Sequence, residues 1–199
     1  AFKRFENIRP WAFGVLGLSE YIQDGGQDDF AREMMRHLTE RLFEVRQTNA
    51  GSDWPWWEDT LTWGNAKLPH ALLAGGYHMD RKDMVEAAIV SLNWLLDVQR
   101  SEDGHLTIIG NRGWMHKNGE RAQFDQQPLE VHALVHACLD AARITGEDKW
   151  VDHAYRCFEW FLGKNDLNQY VYHSDTGGCH DGLCPAGVNS NQGAESTLA

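Results

Sequence analysis

The chain has 199 residues, 42% hydrophobic and 24% charged, a composition that supports a packed core and excludes wholesale disorder. Eighteen Lys and Arg stand against 29 Asp and Glu, and a formal net charge of -11 repels phosphate backbones, so no nucleic-acid partner is expected. No apolar run approaches the ~20 residues of a membrane span and no charged-then-apolar leader opens the chain, so no membrane span is expected and a cytoplasmic location fits.

The first predicted helix begins near Pro10, a good first-turn residue, and carries apolar residues from Trp11 to Ile22 before Asp24-Gly25-Gly26. A second follows, capped by Asp28 or Asp29, with Phe30, Met34, Leu38, Leu42 and Val45 stepping by three and four. The third is expected from about Thr60 to Tyr77. The fourth runs from Arg81 to Gln99, with Met84, Ala88, Leu92 and Leu95 on one stripe. Pro128 opens the fifth, which bears Val131, Leu134, Cys138 and Ala142. The sixth bears Trp150, Val151, Ala154, Cys157, Phe158, Phe161 and Leu162. Only Leu106–Ile109 and Tyr170–Tyr172 read as strands, both short. The expected fold class is therefore all-α.

Two segments echo one another. His70-Ala71-Leu72-Leu73 is followed 24 residues later by Trp94-Leu95-Leu96, and His132-Ala133-Leu134-Val135 is followed 28 residues later by Trp160-Phe161-Leu162. Gln126-Gln127-Pro128-Leu129-Glu130 is echoed by Asn191-Gln192-Gly193-Ala194-Glu195, with the two glutamates 65 residues apart. Repeated αα-hairpins stack as a solenoid or close into a ring. Long connections at about 47–59, 100–125 and 165–192 alternate with short turns at 24–27, 78–81 and 145–148, which favours an (α/α) toroid with a pocket at its long-loop mouth. A protein-binding solenoid of the ~34-residue class has about half the observed spacing. Six helices and the start of a seventh make an incomplete ring. The missing initiator Met and the apolar pattern starting at Leu198-Ala199 raise the expectation of a single domain cut from a longer chain.

The long connections hold the polar chemistry. The first interleaves Asp53, Trp54, Trp56, Trp57, Glu58 and Asp59 and continues through Trp63, Asn65 and Lys67. Indole rings stack on the C–H faces of sugars while carboxylates accept their hydroxyl hydrogen bonds. Equally, Trp56 and Trp63 plug a junction between hairpins, and Asp59 caps a helix. The second connection ends in Asp125, Gln126 and Gln127, with Glu130 on the first turn of the fifth helix, where the dipole favours a carboxylate whatever its function. The third contains His180, Asp181, Asn189, Asn191 and Glu195 among paired glycines, either a ligand loop or a loop held by Asx turns. Its Cys179 and Cys184, spaced C-x4-C around His180, have no second pair elsewhere; free thiols in a reducing compartment fit better than a metal site, and neither metal nor cofactor is expected.

Several of these segments together resemble one bacterial family: Arg9-Pro10-Trp11-Ala12, Trp54-Pro55-Trp56 through Asp59, Asn65 through Leu72, Phe124 through Pro128, and Gly177-Gly178-Cys179 through Thr197. It is the (α/α)-toroid domain of six-hairpin-glycosidase type found with GT-B-type glycosyltransferases. The resemblance covers nearly the whole chain. It implies a toroid, an oligosaccharide or sugar ligand, and a glycosyltransferase domain as partner in the same longer chain, but no established catalytic pair. From the residues themselves, glycoside hydrolysis needs two carboxyl groups. Asp181 and Glu195 are the first choice and Asp59 and Glu130 the alternates. Asp53, Trp54, Trp56, Glu58, Asn65, Lys67, Asp125, Gln126, Gln127, His180, Asn189 and Asn191 are the expected ligand contacts. The competing expectation is a domain that binds or scaffolds glycan without cleaving it.

Overall fold

The structure is a computed structural model and describes residues 7–199. It is mostly helical, with seven helices and six two-residue strands among the described residues. No helix there is long and apolar enough to cross a membrane. The described chain divides into two compact units, one of residues 7–58 and 66–94, the other of residues 59–65 and 95–199.

The first unit contains α1 (Ile8–Gln23), α2 (Asp29–Asn49), α3 (Lys67–His78) and most of α4 (Lys82–Val98). Asn7 and Asp28 cap α1 and α2 by accepting the backbone N–H two residues on, so two otherwise orphaned donors are satisfied. Helix α1 packs on both α2 and α3, burying Trp11, Val15, Leu38, Leu42, Leu68 and Leu72. Gly75 makes the α2–α3 approach feasible, because a Cβ there would lie 2.2 Å from the Thr39 hydroxyl. The expected third helix starts later than its apolar pattern suggests. Asn65 accepts the Thr62 N–H and returns a hydrogen bond to the Thr62 carbonyl, closing a turn with Gly64 at φ +60°, so helical structure begins only at Lys67.

The second unit is built on α5 (Pro128–Thr145) and α6 (Lys149–Phe158), joined by a turn with Gly146 in the left-handed region. Val131, Leu134, Cys138 and Ala141 of α5 are buried, as are Trp150, Ala154 and Cys157 of α6. Hydrogen bonding to Cys157, then burial, drives the Cys138 thiol well above its ordinary pKa, so it packs as a neutral hydrophobe. Helix α6 is shorter than predicted. From Trp160 to Leu162 the amides bond three residues back, tightening the chain into a turn before Gly163 at φ +95°. Val151 and Phe158, expected in the buried stripe, are exposed.

Short antiparallel ladders stitch the long connections of this unit. They pair β1 (Thr60–Leu61) with β2 (Met115–His116), β3 (Tyr172–His173) with β4 (Gly178–Cys179), and β5 (Leu183–Cys184) with β6 (Gly187–Val188). The predicted strand at Leu106–Ile109 reduces to one bridge between Arg100 and Leu106, although Leu106, Ile108 and Ile109 are buried. Helix α7 (Ala194–Leu198) closes the described chain. Long connections thus precede α3, α5 and α7, and short turns follow α1, α3 and α5.

Candidate functional site

Within the first unit, the predicted ligand residues are mostly part of the core. Trp54 and Trp56 are 5% and 0% exposed, so neither offers a ring face to a sugar. Trp54 and Trp56 each pack against Trp94, at 4.8 and 5.6 Å between ring centroids, and Trp56 stands edge-on to Trp57 at 5.2 Å. The Trp54 indole donates to the Glu58 carbonyl at 2.7 Å and the Trp57 indole to the Leu42 carbonyl at 2.8 Å, satisfying the polar edges of buried rings. Glu58 is ion-paired with the buried Arg9 guanidinium, whose Nη1 donates to both carboxylate oxygens at 2.8 and 3.1 Å. Asp53 is exposed and accepts the Ser52 hydroxyl, and Lys67 opens α3 half-buried.

Three segments of the second unit converge instead. Gln126 and Leu183 exchange two backbone hydrogen bonds of 2.9 and 3.0 Å. Gly182 permits this approach: its φ is +140° and a Cβ would fall 1.9 Å from the Gln126 carbonyl. The buried Glu130 carboxylate accepts the N–H groups of Gly64 and Asn65, binding the turn that follows β1 to the start of α5. Asp181 accepts the Gly193 N–H at 2.8 Å, and its own N–H donates to the Asn191 carbonyl at 2.9 Å. Segments 62–65, 125–130 and 181–195 are thereby tied together, with Glu195 exposed on the first turn of α7.

Within that cluster the side chains have unequal duties. Gln126 is fully buried, donating to the Gln123 carbonyl and the Asp166 carboxylate while accepting the Trp160 indole N–H at 3.0 Å, so it is a structural linchpin rather than a ligand contact. Asn65 is likewise buried and engaged with Thr62, and its side-chain amide holds a turn rather than a ligand. Asn189 accepts the Asn191 N–H in an Asx turn, as the loop-holding alternative predicts. Gln127 occupies the N-cap position of α5 with no side-chain capping bond and is half-buried. Asp125 is half-buried with the Arg112 guanidinium 3.5 Å away. Asp59 is largely exposed, 3.6 Å from the Lys117 ammonium, and precedes a strand rather than capping a helix. His132 and His136 on α5 have ring centroids 4.4 Å apart.

Burial, and then the nearby Asp181 charge, push the Cys179 thiol up to about 11, which keeps it protonated at neutral pH. Cys179 and Cys184 donate to the carbonyls of His180 and Gly187. Among the described residues no group of three His, Cys, Asp or Glu side chains has a metal-binding arrangement.

One feature escapes the sequence reading and another is left open by it. Asp166, with its side chain only 8% exposed, accepts the Thr107 hydroxyl at 2.6 Å and the Gln126 amide and lies 2.9 Å from His105 Nε2. Beside it, Asn165 bonds the carbonyls of Trp160 and Gln169. Nothing in the local sequence marks either residue. Trp63, left between stacking ring and junction plug, is 46% exposed, the accessible tryptophan of its loop, and adjoins the turn that Glu130 holds. Chemically, the cluster offers two carboxylates flanking Gly193, an accessible indole and several half-buried amides and acids. No protein-family model matches the chain, and no curated protein matches it in sequence.

Proposed function

We propose that the chain is a carbohydrate-active domain of glycoside hydrolase-like chemistry, made of αα-hairpins from an (α/α) toroid of six-hairpin-glycosidase type. The observation that carries this reading is the convergence of segments 62–65, 125–130 and 181–195 through Glu130, Gln126 and Asp181. Scattered along the sequence, Trp63, Asp125, Gln127, Asp181, Asn191 and Glu195 all lie on those three tied segments. The alternation of long and short connections between helices supports the toroid.

Hydrolysis of a glycosidic bond needs one carboxyl to protonate the leaving oxygen and a second to activate water or attack the anomeric carbon. Asp181 and Glu195 take those roles. Trp63 offers its ring to a sugar face, and Asp125, Gln127 and Asn191 bond its hydroxyls. A second reading, a non-catalytic glycan-binding domain serving a glycosyltransferase in the same longer chain, draws support from the backbone hydrogen bonds that already engage Glu130 and Asp181.

Mass-spectrometric turnover on a mixed panel of oligosaccharides separates them. Hydrolysis requires product from the parent chain and a drop of about 10²–10⁴-fold in Asp181→Asn or Glu195→Gln. Binding without product favours the second reading. Undiminished turnover in both variants removes the two carboxylates from the mechanism.

A further inference from the structure

The β3–β4 hairpin carries a concavity that the Asp181 cluster does not use. It measures about 540 Å³ and is lined by Leu162, Tyr170, Tyr172, His173, Ser174, Asp175 and His180. That volume falls in the range of small-molecule sites. Tyr170 and Tyr172 are 69% and 42% exposed, while Val171 between them is fully buried, so alternation along the strand puts both phenol rings on one side. Large aromatic rings left in contact with water beside a concavity are surplus to what a core requires.

The two histidines supply the second observation. The His180 backbone N–H donates to the Val171 carbonyl at 2.9 Å, and the His180 ring lies 5.9 Å from that of His173, centroid to centroid. Each ring keeps an Nδ1 sealed from solvent with no hydrogen-bond partner among the described residues. Both histidines line the concavity and are half-buried, so a ligand meets the parts of their rings that stay open rather than the sealed Nδ1 atoms. Charge narrows the class of ligand. No lysine or arginine lines the concavity, Asp175 does, and the whole chain carries -11. Phosphorylated sugars, nucleotides and carboxylates are repelled, whereas a neutral polyol supplies donors and acceptors together with an apolar C–H face.

We infer that this concavity is a further saccharide subsite, which takes one neutral pyranose ring against Tyr170 and Tyr172 and bonds its hydroxyls through His173, His180 and Asp175. The subsite rests on the carbohydrate function proposed for the chain, and it gives that function its substrate class: a neutral oligosaccharide long enough to need a contact outside the Asp181 cluster.

Saturation-transfer NMR with cellobiose, maltose, lactose and, as the anionic counterpart, glucose 6-phosphate tests it on the whole chain. The parent is expected to bind at least one neutral disaccharide and not the phosphate. A Tyr170→Ala/Tyr172→Ala variant is expected to bind tenfold or more weakly with an unchanged far-UV spectrum, and Tyr172→Phe to bind as the parent does because the ring face remains. Should the double variant fail to fold, Tyr170→Ala alone is expected to weaken binding several-fold. Parent-like binding in the tyrosine variants, with binding lost in Trp63→Ala, overturns the subsite and leaves the carbohydrate function standing. No neutral disaccharide bound by the parent overturns both. Glucose 6-phosphate binding that disappears in the tyrosine variants overturns the neutral class.

Discussion

Trp54, Trp56 and Trp57 of the first unit and Trp63 of the second lie a few residues apart in one acidic, aromatic stretch, yet their surroundings are opposite. The first three form an interlocked cluster with Trp94, and the indole N–H groups of Trp54 and Trp57 end on backbone carbonyls. Trp63 reaches solvent from a turn clamped by a buried carboxylate. Aromatic residues interleaved with acids are therefore an ambiguous mark of a sugar site. The same pattern builds a core when the rings pack on one another and two of their three indole N–H groups find main-chain partners, and a platform when the backbone beneath it is pinned from elsewhere.

The contrast is sharpest in stability. Trp57→Ala removes a fully buried ring and the hydrogen bond its indole gives the Leu42 carbonyl, and is expected to cost about 3–5 kcal/mol in urea denaturation. A loss below about 1 kcal/mol would break the assignment of this cluster to the core. Next in size, Asp166→Ala leaves the Thr107 hydroxyl and one N–H of the Gln126 amide without their acceptor, and is expected to cost about 2–3 kcal/mol by the same measurement. It also loosens the Gln126–Leu183 bridge, which faster amide exchange at those two positions would reveal. Smallest in stability is Trp63→Ala, expected to cost about 1 kcal/mol, less than either buried change, yet deficient in oligosaccharide binding. A large loss of stability with binding intact would return Trp63 to the core and erase the difference between the two regions.

Local chemistry was legible in the sequence. Asp28 as the cap of α2, Pro128 in the first turn of α5 and the alternation of long and short connections all follow from signals spanning a few residues. The start of α3 was hidden because the closed turn made by Asn65 interrupts an apolar pattern that continues through it. The end of α6 was hidden because Trp160 to Leu162 keep the helical spacing while their hydrogen bonds tighten. At the site, the carboxylates stood out but their duties did not. Whether Glu130 meets substrate or two backbone N–H groups depends on a partner turn 65 and 66 residues away. Asp166 carried no signal at all, since its three partners come from positions that share no motif.

The reach of Asp166 has a kinetic consequence. Its contacts close loops of 40, 59 and 61 residues, whereas the bonds of α5 and α6 close over four. Loop-closure entropy must be met before such distant contacts return any stabilisation, so contacts of this kind form after local helices. The helical pair can exist as a framework while segments 99–127 and 159–193 still search for one another. The carboxylate cluster is then the last part of the molecule to take shape on folding and the first whose geometry relaxes under mild denaturation, ahead of any loss of helix.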